Sequence, residues 1–138
     1  MKDKNQEILV VEDCNSLRNV MVAGLSKFNQ VKCRVDGAIN GREGLIMAQE
    51  ISYDLIIADM IMPEKCGAEL VRELRKVESH KKTPIIFMSG FFHVTPFQKY
   101  EDIIDQDALI VIDKPFSMDK FRRAVSAALS SNPTAKFW

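Results

Sequence analysis

The chain carries little that would tie it to a membrane, to nucleic acid or to an oxidising compartment. Its 138 residues hold only three cysteines, Cys14, Cys33 and Cys66, spaced too widely and irregularly for a disulfide framework or a zinc site. The compartment expected from that is a reducing cytosol, with the cysteines as small buried or loop residues. Cys14 stands apart because it adjoins an acidic pair. Net charge is absent as well, with 19 Lys plus Arg against 19 Asp plus Glu. No overall field draws the molecule onto DNA or an anionic bilayer, so direct nucleic-acid binding is not expected. The polar start, Met1 to Glu7, lacks the form of a signal peptide, and no apolar run approaches the roughly 20 residues of a membrane span. There is no internal repeat or low-complexity segment, and the first linker-like stretch is Ser130-Ser131-Asn132-Pro133. One domain over residues 1–131 is expected, with 132–138 as a tail or linker stub, since 46% apolar residues are enough to fill one core.

What is present is an alternation. Ile8-Leu9-Val10-Val11 is a short apolar run of the kind that forms a strand buried on both faces, and it ends in Glu12-Asp13. A helix follows, with Leu17, Val20, Met21, Leu25 and Phe28 at three- and four-residue steps and Asn15 or Ser16 placed to cap it. A second strand around Lys32 to Val35 precedes the Asn40-Gly41 turn and a helix carrying Leu45, Ala48 and Ile51. Leu55-Ile56-Ile57-Ala58 ends at Asp59, and after Met62-Pro63 a helix with Leu70, Val71, Leu74 and Val77 begins near Gly67. Pro84 opens the fourth strand, Ile85-Ile86-Phe87-Met88, which ends at Ser89-Gly90; a weaker helical pattern then runs over Thr95 to Gln106. The fifth strand, Leu109 to Ile112, ends at Asp113-Lys114-Pro115, and the last helix carries Phe121, Ala124, Val125, Ala128 and Leu129. Five strands alternating with five helices predict an α/β fold, a doubly wound parallel sheet in three α/β/α layers, because parallel neighbours need right-handed crossovers.

Open sheets of this kind bind ligands beyond the carboxyl ends of their strands. The polar residues sit there: Glu12 and Asp13 after strand one, Asp59 after three, Ser89 after four, Lys114 after five. In the order 2-1-3-4-5, one of the two common ones, these four strands are neighbours. Gathered carboxylates repel, and a hard divalent cation with oxygen ligands is the usual resolution. Magnesium fits best, because it takes one or two carboxylates and completes its shell with water and phosphate. A phosphoryl group beside it would have its charge neutralised by the cation, the Lys114 ammonium and the Ser89 hydroxyl.

Val11-Glu12-Asp13, Asp59-Met60-Ile61-Met62-Pro63 with Gly67, Met88-Ser89-Gly90 and Lys114-Pro115-Phe116, in this order over nearly the whole chain, resemble the motifs of receiver domains of two-component response regulators. The resemblance implies a flavodoxin-like fold of order 2-1-3-4-5 and a magnesium-dependent phosphoacceptor on Asp59, charged from a phosphohistidine. It implies Glu12, Asp13, Asp59 and the backbone carbonyl of Ile61 as the Mg2+ ligands, Ser89 as a switch hydroxyl and Lys114 as the partner of the phosphoryl group, with a cis bond to Pro115. The implied partners are a sensor histidine kinase or a histidine phosphotransfer protein and an unidentified output partner. A monomer or weak phosphorylation-dependent dimer is expected, cytoplasmic and away from the membrane, that acts on itself and is no enzyme. A relay intermediate handing phosphate to a histidine phosphotransfer protein fits equally. An aspartyl-phosphate phosphatase fits less, since those have a second Asp where Ile61 stands.

Blander readings exist for single residues: Asp13 and Asp59 as helix caps, Ser89 as a turn residue, Lys114 as a solvated cation. His80 and His93 have no ligand partners at useful spacing and read as surface residues. The chain also departs from the family pattern. Val111 stands where an aromatic ring usually swings, and being stiff and short it puts the usual output route in doubt. Lys65 replaces a usual apolar residue, and Asp107 a usual glycine whose turn Asp still tolerates. Phe91 to Phe97 is unusually aromatic, for which local packing is the commoner fate and partner docking the other. Ile61 and Phe91 occupy the two variable positions that flank the hydrolytic water in receivers. Their bulk predicts a slow loss of phosphate: Ile61→Asn combined with Phe91→Glu should clearly shorten the half-life of the phosphorylated protein followed by intact mass, and an unchanged half-life would refute it.

Overall fold

Four of the apolar runs are buried along their whole length, and that decides the architecture: a strand covered on both faces must have helices above and below it. A computed structural model of the chain describes residues 5–60, 62, 66–90 and 109–130. In chain order the elements are β1 (Gln6–Val11), α1 (Asn15–Ser26), β2 (Cys33–Ala38), α2 (Gly41–Glu50), β3 (Leu55–Asp59), α3 (Gly67–Leu74), a 3-10 turn (Glu78–His80), β4 (Ile85–Ser89), β5 (Leu109–Asp113) and α4 (Met118–Ala128). All strand pairs are parallel, and the order is β2-β1-β3-β4-β5. The predicted fold class and strand order are those observed. The helix expected over Thr95 to Gln106, His93, the aromatic stretch Phe91 to Phe97, Lys65, Asp107 and the tail 132–138 lie outside the described residues, among which there are four α-helices. None of these is long and apolar enough to cross a membrane.

Alternate strand residues serve opposite layers. Leu9, Val11, Ile56, Ala58, Ile85, Phe87, Leu109 and Val111 pack with α2 and α3 through Ala48, Ala68, Leu70, Val71 and Leu74. Ile8, Val10, Leu55, Ile57, Ile86, Met88, Ile110 and Ile112 pack with α1 and α4 through Met21, Leu25, Phe121, Ala124, Val125 and Ala128. The helices are set by local chemistry. Asn40 caps α2 by accepting from the Glu43 amide at 2.8 Å, and Glu43 reaches back to the Ile39 amide at 3.1 Å. Ser117 caps α4 by accepting from the Lys120 amide at 3.0 Å.

Several expectations need correction. β2 runs on to Ala38, beyond the predicted Val35, because the whole segment finds ladder partners on β1. The cap of α1 is Cys14, with no side-chain bond; Asn15 is already helical, and its Oδ1 accepts from Arg18 instead. Val20 keeps helical spacing but is 54% exposed, since Met21 and Leu25, with Leu17 and Val22 beside them, fill the layer beneath α1. Val77 falls beyond α3, before the 3-10 turn. His80, expected at the surface, is fully buried. Its Nε2 lies 3.0 Å from the Ile51 carbonyl, which only accepts, so that nitrogen carries the proton and Nδ1 accepts from the Thr83 hydroxyl at 2.8 Å. The ring stacks on Tyr53 at 6.2 Å, and the Tyr53 hydroxyl donates to Asp36 at 2.7 Å. A histidine with both nitrogens satisfied can be buried without the cost of an orphaned polar group.

Ile57 and Ile46 test the layer assignment, since one is fully buried in the central strand and the other 51% exposed on α2. In urea unfolding, Ile57→Ala should cost about 2–5 kcal/mol and Ile46→Ala within about 0.5 kcal/mol.

Candidate functional site

The sheet's hydrogen-bond ladder continues one residue past three of the strand ends, and these bonds hold the polar residues in register. The Glu12 amide donates to Ala38 at 3.0 Å, the Met60 amide after Asp59 donates to Met88 at 2.9 Å, and the Lys114 amide donates to Ser89 at 2.9 Å. Glu12, Asp59, Ser89 and Lys114 thus lie along one edge of adjacent strands, as the sequence predicts. Carboxylate oxygens of Glu12, Asp13 and Asp59 all fall within 4.8 Å of one another. Asp13 is exposed, whereas Glu12 and Asp59 are buried.

Lys114 enters from the far strand. Its Nζ donates to Asp59 Oδ2 at 2.5 Å and to Glu12 Oε1 at 3.3 Å, joining residues 55 and 102 positions apart. The Lys114–Pro115 bond is cis. The second Glu12 oxygen accepts from the Cys14 amide at 3.0 Å, so Cys14 contributes through its backbone while its side chain is free and exposed. Ser89 is 1% exposed, and its Oγ has no hydrogen-bond partner among the described residues. A buried hydroxyl is ordinarily hydrogen-bonded, so this one is chemically suited to donate to an oxygen brought to the strand edge. The backbone carbonyl of Ile61 lies outside the described residues.

Gly67 closes the site from below. A Cβ there would sit 2.5 Å from the Asp59 carbonyl and 3.0 Å from the Phe87 ring, so only glycine lets α3 start this close to β3. Its amide donates to the Met60 carbonyl at 3.0 Å. Val111 is buried opposite Phe87 in the layer that α2 and α3 cover, where its short side chain fills the interior. Arg18 was missed by sequence reasoning. Its Nη1 donates to the Glu12 carbonyl at 2.7 Å, and nothing in its spacing signals that a helical arginine turns back to a strand end.

The electrostatics follow from burial. Desolvation pushes the Glu12 carboxyl up to about 7 from 4.5; the Asp59 charge and a bond with Asp13 add to this, while the Cys14 amide and Lys114 oppose it. For Lys114, burial by itself lowers the pKa, but the bond and charge of Asp59 and the charge of Glu12 outweigh it, leaving the ammonium raised and firmly protonated. A carboxylate trio with all-oxygen donors suits a hard divalent cation, which would offset the mutual repulsion of the three groups.

Three carboxylates, a hydroxyl and a lysine at the carboxyl edge of a doubly wound parallel sheet stand where α/β domains of this class bind their ligands. The sequence profile described as the response regulator receiver domain matches residues 8–126, and the chain belongs to that family. The response regulator ArlR of Staphylococcus aureus (strain Mu50 / ATCC 700699) is 31% identical over 129 residues, 92% of this chain and 54% of that protein. The chemotaxis protein CheY4 of Vibrio cholerae matches with a TM-score of 0.79 at 28% identity, covering 91% of this chain and 100% of that one. The receiver domain of the sensor histidine kinase PA1611 of Pseudomonas aeruginosa PAO1, a structure with magnesium coordinated in its active-site cleft, matches with a TM-score of 0.79 at 25% identity, covering 93% and 100%. The chain spans only 2% to 54% of the length of the first curated relatives it matches.

A raised carboxyl pKa means that the folded state holds its proton more tightly than the unfolded chain does. Glu12 therefore contributes stability that is full below 4.5 and lost as pH rises through about 7. Without divalent cations, urea midpoints should fall across that window, and Glu12→Gln should flatten the fall; an equally steep profile in the variant would refute the assignment.

Proposed function

We propose that the chain is a phosphoacceptor receiver of a His-Asp phosphorelay, in which Asp59 takes a phosphoryl group and the modified edge of the sheet changes partner binding. The observation that carries this is Asp59, held by Lys114 amid two further carboxylates, on the same strand edge as a buried Ser89 hydroxyl that has no partner among the described residues. In the transfer an Asp59 carboxylate oxygen attacks the phosphorus of a phosphohistidine. The P–N bond breaks with its electron pair leaving on the imidazole, and an acyl phosphate forms. Lys114 is placed to shift its ammonium from the carboxylate to a phosphoryl oxygen, and Ser89 to donate its free hydroxyl to another. That last bond would draw the chain after β4 inward, a local event biasing a two-state element.

Glu12, Asp13 and Asp59, with the Ile61 carbonyl, are the residues that would hold Mg2+, which when bound supplies charge neutralisation for the transferring group. The phosphodonor is a sensor histidine kinase or a histidine phosphotransfer protein, the output partner is another protein rather than DNA, and the setting is the cytoplasm. The chain turns over no external substrate; it catalyses only its own phosphorylation and dephosphorylation. The relay reading is supported by the equally good match to the receiver of a sensor histidine kinase; rapid transfer from the charged protein to a histidine phosphotransfer protein would select it.

With magnesium and acetyl phosphate, intact-mass measurement should show one added phosphoryl group on the wild type and none on Asp59→Asn. An equal gain on the variant would overturn the assignment.

A further inference from the structure

The carbonyl of Glu12 stands where the β1–β2 ladder runs out. In a parallel ladder, the residue whose amide donates to Ala38 should in turn accept from the amide two residues further along the partner strand, which here is Asn40. β2 ends at Ala38, however, and Asn40 is already the cap of α2. The guanidinium of Arg18 takes the vacant place. Nη1 donates to the Glu12 carbonyl at 2.7 Å and Nη2 to Asn15 Oδ1 at 2.5 Å, so the planar fork is held at both ends. The stem crosses β2 at Gly37, where an added Cβ would lie 3.1 Å from Arg18 Cδ and 3.4 Å from Cγ.

The peptide plane that carries the Glu12 carbonyl also contains the amide and Cα of Asp13. Fixing the one fixes the direction in which the other leaves the strand. Asp13 is exposed, and the two Glu12 carboxylate oxygens are taken up by Lys114 and the Cys14 amide. The backbone therefore aims the most open of the three carboxylates.

We infer that Arg18 is a positioning residue for the divalent-cation site: it does not touch the ion, but holds the Glu12–Asp13 peptide so that the carboxylates converge. This rests on the magnesium reading above. Its sign is opposite to that of simple electrostatics, since removing a cation beside an acidic cluster should by itself strengthen the pull on Mg2+.

The test is the Mg2+ dissociation constant, followed by backbone amide shifts during titration with magnesium chloride, for the wild type, Arg18→Ala, Gly37→Ala and the double variant. Arg18→Ala should weaken binding by about tenfold, the low end for residues that orient metal ligands. Gly37→Ala alters no carboxylate and removes a glycine from a strand, which for a merely structural role is neutral or stabilising in thermal unfolding. Here it should nevertheless weaken Mg2+ binding by crowding the Arg18 stem, and the double variant should bind no more weakly than Arg18→Ala alone. Unchanged or tighter binding in Arg18→Ala, or a Gly37→Ala effect that adds in full to it, would overturn the inference. An absence of magnesium-dependent shifts in the wild type would overturn the magnesium reading together with it, whereas normal binding in the wild type and both single variants would overturn the inference alone.

Discussion

Three carboxylates within 4.8 Å of one another, two of them buried, are the constraint around which this molecule is arranged. At such separations a pair of like charges repels by about 4 kcal/mol at an effective dielectric of about 20, a sizeable part of the roughly 5–15 kcal/mol that stabilises a typical domain. The fold offsets this with Lys114, which reaches both Asp59 and Glu12, with the Cys14 amide on Glu12, and with a proton retained on Glu12. Each of these is provisional in a useful sense. The proton and the ammonium occupy carboxylate oxygens that a hard divalent cation would take, so the crowding of negative charge that burdens the site is of the kind such a cation relieves.

Holding charges this close demands a rigid support, and the sheet supplies it. The ladder bonds past β1, β3 and β5 carry register directly into the site residues, while α3 is brought against β3 by a glycine that no other residue could replace. At the opposite end of the strands a second polar network ties the layers together. Asp54 accepts from the Glu7 amide, Arg34 pairs with Glu7 and Asp36, Tyr53 bonds Asp36 and stacks on His80, and His80 fastens Ile51 to Thr83. Between the two polar ends β1, β3, β4 and β5 run through the interior as buried apolar segments, so the core is close-packed and deforms little.

The elements with a strong local code were legible. The runs ending in Asp13, Asp59, Ser89 and Lys114 announced both the strands and the edge where their polar ends meet, because a strand buried on both faces tolerates a charge only where it leaves the sheet. The same logic failed for groups whose partners lie elsewhere. Helical spacing marked Val20 as a core residue, yet the layer beneath α1 is filled by Met21 and Leu25. His80 looked like a surface residue because its two acceptor and donor partners, Ile51 and Thr83, are ordinary residues that carry no signal of the pairing.

The amino-acid sequence by itself determined the strand-helix alternation, the parallel sheet and the set of residues at its carboxyl edge, since these depend on periodicity and on which positions cannot be buried. Only the tertiary structure decided how the set is used. It placed Lys114 on Asp59 across 55 residues, turned Arg18 back onto the Glu12 carbonyl where β2 runs out, and left the Ser89 hydroxyl without a partner among the described residues. Those outcomes follow from distances between strands distant in sequence, and from which backbone groups the ladder has already satisfied.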